Sequence, residues 1–144
     1  MNVKQYPVVV VHSLSHARDV LALGQPVTLL SARGAAHYAG AAWWLALVKR
    51  ARFENVAVPL EDILDCADAP GLALSALRLG QRTIVLEAEA PGWSSVAAIA
   101  ASLGCEVLTH RPSALDMSLP REIRRLRDWL QVRTSPGDIG PAVS

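Results

Sequence analysis

The sequence predicts a single α/β domain in which helices alternate with the strands of one mostly parallel sheet. The first observation is a short unit that occurs three times, at Leu23-Gly24, Leu79-Gly80 and Leu103-Gly104, each followed by two residues and then an apolar run. Glycine suits the left-handed conformation that ends a helix, and such runs suit strands buried on both faces. The second observation is that these connections are short, as in α/β units. We therefore expect a three-layer sandwich, flavodoxin-like or Rossmann-like.

Five strands are predicted from short apolar runs. They are Val8–His12, Val27–Ser31, Leu60–Asp65, Thr83–Glu87 and Glu106–Thr109. Alternation with helices implies right-handed crossovers and hence parallel strands. The strand order stays open between 2-1-3-4-5, as in flavodoxin-like sheets, and a Rossmann-like 3-2-1-4-5.

Five helices are predicted between and after these strands. They are Ser15–Leu23, Ala35–Arg52, Pro70–Leu79, Trp93–Leu103 and Leu119–Gln131. Ser118 is expected to cap the last helix, with Pro120 in its first turn. The α/β domain then covers residues 1–132, and residues 133–144, which carry Pro, Gly and Ser without periodicity, are expected to form a flexible tail.

Composition excludes several classes of protein. The chain is 51% hydrophobic and 19% charged, which is too apolar for a disordered protein, and its formal net charge is +1. That charge gives no general electrostatic reason to expect binding to nucleic acid or to a membrane. No apolar run reaches the roughly 18 residues that span a bilayer, and the first residues lack the features of a signal peptide. We therefore expect a cytoplasmic protein.

The predicted helix Ala35–Arg52 is apolar on almost all sides as far as Val48. It includes the adjacent Trp43 and Trp44, which point about 100° apart on a helix and cannot face the same core stripe. Such a helix is covered on more than one side. A homodimer interface is the explanation we expect. Two alternatives stay open, namely that the final helix with Trp129 folds over it, or that a ligand stacks on a tryptophan.

A site is expected beyond the carboxyl ends of the strands, where ligands bind in open α/β sheets. The turn of Ser31, Arg33 and Gly34 leads directly into a helix, so its backbone N–H groups, hydroxyl and guanidinium could hold a phosphate or carboxylate. The alternative is that Ser31 caps the helix and Arg33 is solvated. The predicted ligand-binding residues are Ser13, Ser15, Ser31, Arg33, Gly34 and Arg111.

Four residues at these strand ends are candidates for catalysis: Asp65, Cys66, His12 and His110. Asp65 and the histidines offer general acid–base chemistry. Cys66 lies near a helix N-terminus that could lower its pKa and make it reactive, although a buried, inert thiol is the more common case. No spacing enforces a metal site. No metal is therefore predicted. Neither G-x-G-x-x-G nor a Walker A motif is present, so a standard dinucleotide or P-loop nucleotide site is disfavoured and no cofactor is identified.

Part of the chain resembles the receiver domains of response regulators. Thr83–Ala88 and the stretch ending at Arg111-Pro112 resemble that family's last two strands, which end in a basic residue before proline. Ile63-Leu64-Asp65 resembles the strand that ends in its phospho-accepting aspartate. The resemblance implies a flavodoxin-like topology.

Departures from that family argue against its chemistry. His12-Ser13 stands where the family has the acidic pair that holds Mg²⁺, and Glu87 stands where it has a hydroxyl residue. Without the acidic pair, metal-assisted phosphorylation of Asp65 is not expected.

Three hypotheses on function follow. The first is a small cytoplasmic module that binds a small anionic metabolite at the carboxyl ends of the strands. The second is a small enzyme that uses Asp65, His12 or His110, with Cys66 as nucleophile. The third is a degenerate, receiver-like interaction or assembly protein without catalysis.

Overall fold

Six short strands form one all-parallel sheet in the computed structural model, which describes residues 6–131. They are β1 (Val8–Val10), β2 (Val27–Leu30), β3 (Leu60–Asp65), β4 (Thr83–Val85), β5 (Glu106–Leu108) and β6 (Leu115–Asp116). Helices flank the sheet, and the arrangement is consistent with a flavodoxin-like or Rossmann-like sandwich. The predicted fold class is therefore confirmed, with six strands in place of five. The predicted tail at 133–144 lies outside the described residues.

The strand order is β5-β4-β3-β2-β1-β6, which differs from both predicted orders. Each strand from β1 to β5 lies beside the next one in sequence, and β1 lies between β2 and β6. The apolar runs specify where strands occur but not on which side of the growing sheet each is added. β6 has only two residues, Leu115 and Asp116, which pair with Val9 and Val10. A strand of this length leaves no alternating pattern to recognise.

Seven helices occupy the connections and the end of the described chain. They are α1 (Leu14–Leu21), α2 (Ala35–Tyr38), α3 (Ala41–Glu54), α4 (Pro70–Arg78), α5 (Trp93–Ser102), α6 (Pro120–Ile123) and α7 (Leu126–Gln131). The three Leu-Gly units behave as predicted, because Gly24, Gly80 and Gly104 all have a positive φ just after a helix ends. None of the helices within residues 6–131 has the length and apolar content needed to cross a membrane.

Both of the long predicted helices are interrupted. The predicted helix Ala35–Arg52 divides at Gly40, whose φ of +88° lies in the left-handed region. The predicted helix Leu119–Gln131 divides into α6 and α7. The expected cap is also wrong: Leu119 occupies the N-cap position of α6 without a side-chain bond, and the Ser118 hydroxyl donates to Asp116. Pro120 lies in the first turn, as predicted.

The two adjacent tryptophans of α3 have different environments, as their angular separation requires. Trp44 is completely buried, whereas Trp43 keeps 36% of its surface exposed. Their ring centroids are 6.1 Å apart. Trp129 donates its indole N–H to the carbonyl of Val8 in β1 at 2.8 Å. The burial of Trp44 alone accounts for part of the apolar character of α3 within the chain.

The contacts divide the described residues into two compact units. The first unit comprises residues 31–46 and 63–111, and the second comprises residues 6–30, 47–62 and 112–131. In the first unit α4 packs against α2 and α5. Its most buried apolar residues include Ile63, Leu64, Ile84, Val85, Leu86 and Val96. Those of the second unit include Val9, Val11, Val20, Leu21, Val27, Leu29 and Leu30.

Candidate functional site

A pocket of about 480 Å³ lies in the first unit, at the carboxyl ends of β3, β4 and β5. This is the edge at which the parallel-sheet rule places ligands. Two guanidinium groups, three carboxylates and a histidine contribute to it. The lining residues are Arg33, Asp65, Val85, Glu87, Ala88, Glu89, Thr109, His110 and Arg111.

Asp65 is buried at the end of β3, with 1% of its surface exposed. Its Oδ1 accepts hydrogen bonds from the backbone N–H groups of Gly34, at 3.1 Å, and Ala67, at 2.7 Å. Its Oδ2 accepts from Arg111 Nη1 at 2.8 Å. A buried carboxylate needs such partners to offset its lost hydration. Both carboxylate oxygens of Asp65 therefore have donors within the chain.

Ser31 joins the same buried network. Its hydroxyl accepts from the backbone N–H of Asp65 at 2.9 Å and donates to the carbonyl of Ala32 at 3.0 Å. Its own carbonyl accepts from Arg111 Nη1 at 3.0 Å. Ser31 does not cap α2, because Gly34 occupies the N-cap position of that helix without a side-chain bond. The turn after β2 does hold an anion, and that anion is the carboxylate of Asp65.

Arg111 is anchored on one side and open on the other. Both bonds to Asp65 and Ser31 use Nη1, and Nε and Nη2 donate to no residue within the described range. The side chain keeps 26% of its surface exposed and lines the pocket. Its planar group is therefore held from one side, while the remaining donor edge has no partner among residues 6–131.

Arg33 forms a second, more exposed ion pair on the pocket. Its Nη2 lies 2.9 Å from Glu87 Oε2, and the two side chains are 73% and 32% exposed. The hydrogen bond and the charge of Glu87 raise the pKa of Arg33. Glu89 is exposed on the same rim and forms no ion pair with any residue between 6 and 131.

Cys66 is completely buried directly after β3. Burial, and then the charge of Asp65, raise the pKa of its thiol to about 12. It remains protonated at neutral pH, which speaks against Cys66 as a nucleophile. Both Cys66 and Cys105 are free thiols.

His110 is exposed and lines the pocket, where its Nδ1 lies 3.1 Å from the Thr109 hydroxyl. Of the predicted catalytic residues, Asp65 and His110 line this pocket. Cys66, the next residue after Asp65, is buried and is not among the lining residues. Of the predicted ligand-binding residues, Arg33 and Arg111 line the pocket.

A separate polar cluster lies in the second unit. His12 Nε2 lies 2.8 Å from Asp116 Oδ1, which also accepts from the backbone N–H and the hydroxyl of Ser118. Burial raises the pKa of Asp116, but the bonds from Ser118 and His12 outweigh it, so that the pKa is lowered. The backbone N–H of His12 donates to His16 Nδ1 at 3.1 Å. Ser13 caps α1.

Asp116 was missed by the sequence analysis because β6 was not recognised. Ser15, predicted to bind a ligand, is exposed within α1. Among residues 6–131, no group of three or more His, Cys, Asp and Glu side chains is arranged to hold a metal ion.

Comparisons with known proteins supply no family for this chain. No protein-family model matches it, and no curated protein matches it either.

Proposed function

We propose that the first unit binds a small organic anion in the pocket lined by Arg33 and Arg111. The observation that supports this most is the state of Arg111. Asp65 and Ser31 hold one of its nitrogens from the buried side, while Nε and Nη2 have no partner in the part of the chain that the structure describes. A guanidinium group fixed in advance binds a carboxylate or phosphate with little loss of side-chain entropy.

Arg33 is suited to provide a second guanidinium contact with the anion. Its present partner, Glu87, belongs to an exposed ion pair, and such pairs contribute little to stability. A ligand oxygen can therefore compete with the Glu87 carboxylate for Arg33. Arg33 follows β2 and Arg111 follows β5, so the two guanidinium groups would contact the anion from two different strand ends.

Isothermal titration calorimetry with butyrate, glutarate, ethyl phosphate and their amino derivatives tests this proposal. We expect at least one of these anions to bind, and Arg33→Ala to weaken that binding about tenfold, the effect of losing one charge-assisted hydrogen bond. Arg78→Ala is the matched control, since Arg78 is an exposed arginine of α4 outside the pocket. Absence of binding by every compound, or equal affinity in the Arg33 variant, would contradict the proposal.

The His12–Asp116 pair supports a second candidate, a small enzyme with acid–base chemistry in the second unit. A carboxylate that accepts from one imidazole nitrogen orients the ring for proton transfer at the other. Turnover of p-nitrophenyl esters across pH is a direct assay. We expect His12→Gln to abolish it and His37→Gln, at an exposed histidine of α2, to leave it intact; equal turnover in both variants would exclude this role.

The homodimer and the cytoplasmic location also remain proposals. Tyr38 and Trp43 are 71% and 36% exposed near the start of α3 and are the apolar residues that we propose as its contact. Light scattering coupled to gel filtration gives the mass, and Trp43→Ser should convert a dimer to a monomer. A monomeric parent protein would contradict the dimer and the interaction hypothesis built on it.

A further inference from the structure

We infer that the ligand of this pocket carries a cationic group, such as an amine, together with its anion. This inference rests on the proposed function, whose anion it takes as given. The carboxylates that the proposed function leaves unused provide the argument.

Carboxylates outnumber arginines among the pocket residues. Asp65 is already neutralised by Arg111, and Glu87 by Arg33, so Glu89 carries the unmatched charge. An anion that takes Arg33 from Glu87 would leave two carboxylates, Glu87 and Glu89, without a cation. It would also add its own negative charge to theirs. Like charges within one pocket repel, and the repulsion grows as the ligand excludes water.

The backbone of the loop that carries the two glutamates is fixed by hydrogen bonds, so both residues stay at the edge of the pocket. The backbone N–H of Glu87 donates to the carbonyl of Ala67 at 2.8 Å, and that of Ala90 donates to the carbonyl of Glu87 at 2.9 Å. Trp93 closes the loop from the other end, with its indole N–H on the carbonyl of Leu86 at 2.9 Å.

An amine on the ligand resolves this imbalance. Its anion takes the place of Glu87 on Arg33 and bonds to the free edge of Arg111, and its ammonium takes the place of Arg33 beside Glu87 and Glu89. The Arg33–Glu87 ion pair is thus replaced by two ion pairs with the ligand, one between its anion and Arg33 and one between its ammonium and Glu87. Small zwitterions, such as amino acids or amino phosphates, are the class that fits.

Matched compounds that differ only in the amine separate this inference from the proposed function. The pairs are 4-aminobutyrate and butyrate, glutamate and glutarate, and phosphoethanolamine and ethyl phosphate, with butylamine as the amine alone. In calorimetry we expect the amine-bearing member of a binding pair to bind at least about tenfold more tightly. Glu89→Gln should reduce that ratio, and Asp19→Asn, at an exposed acid of α1, should leave it unchanged.

The outcomes that would overturn the inference differ from those that would overturn the proposed function. Equal affinity within the pairs would refute the inference and leave the anion site standing. Failure of all the anions, or butylamine binding as tightly as 4-aminobutyrate, would refute both. A ratio unaffected by Glu89→Gln would show that the amine is not bound by this rim.

Discussion

Asp65 is the residue around which the first unit organises its polar edge. The sequence marks it as a candidate acid or base because it ends a buried strand. The structure surrounds its carboxylate with two backbone N–H groups and Arg111, within 3.1 Å. The contacts of Asp65 therefore hold the Arg111 side chain in position at the pocket, and under the proposed function the groups that contact a ligand are the two arginines, Glu87 and Glu89.

Asp65→Asn tests this assignment. The amide removes the charge that Arg111 needs, and breaking a buried ion pair in this way costs about 3 kcal/mol of unfolding free energy. Urea denaturation measures the loss. Glu87→Gln, which breaks the exposed pair with Arg33, is the control and should change stability little. Equal losses in the two variants would show that Asp65 is not the structural member of the site.

At the scale of elements, the sequence located most strands and helices because their cues are local. Apolar runs marked β1 to β5, and the Leu-Gly units marked three helix ends. The missed features have weak or misleading cues. β6 is two residues long, and the division at Gly40 is masked by alanines on both sides that favour a continuous helix.

Gly40→Ala is expected to lower the unfolding free energy by about 1–2 kcal/mol, the cost of a left-handed conformation for a residue with a Cβ. Nothing lies within 4 Å of the added methyl group, so the cost belongs to the backbone alone. Gly71→Ala is the control, because Gly71 lies in α4 with equally open space and helical backbone. It should be neutral or stabilise by about 0.5–1 kcal/mol. Thermal or urea unfolding of both variants decides, and equal effects would contradict this account of Gly40.

At the scale of the whole molecule, the sequence predicted which strand-end residues belong to the candidate site, but not which of them form ion pairs with each other. Arg111 and Asp65 are 46 residues apart, and Arg33 and Glu87 are 54 apart. Which strand ends meet depends on the strand order, and no local pattern encodes that order. The pairing of His12 with Asp116 could not be predicted from the sequence for the same reason, because it requires β6 to lie beside β1.

The whole molecule should be most stable between about pH 5 and pH 9. Hydrogen bonds from Arg18 and then Arg50 lower the pKa of Glu54 from 4.5 to about 2, so its contribution is present above pH 4.5 and is lost as the pH falls toward 2. Cys66 acts in the opposite sense. Its pKa rises from 9.0 to about 12, so its contribution is present below pH 9 and is lost as the pH rises toward 12.

Urea midpoints measured from about pH 3 to about pH 10.5 give this profile. Glu54→Gln should flatten the acid side, and Cys66→Ala should flatten the alkaline side while leaving the acid side unchanged. A parent protein whose stability does not fall above pH 9 would contradict the burial of the thiol.

The donors around the Asp65 carboxylate would also be able to bind a small carboxylate from the solvent. The turn after β2 presents the backbone N–H of Gly34, together with that of Ala67 and the guanidinium of Arg111, to one carboxylate that the chain itself supplies. Asp65→Gly would remove that carboxylate but leave its three hydrogen-bond donors in place. Formate or acetate from the buffer would then be able to enter the vacated position and restore the missing bonds, so that the mutant's stability would depend on the concentration of a simple salt.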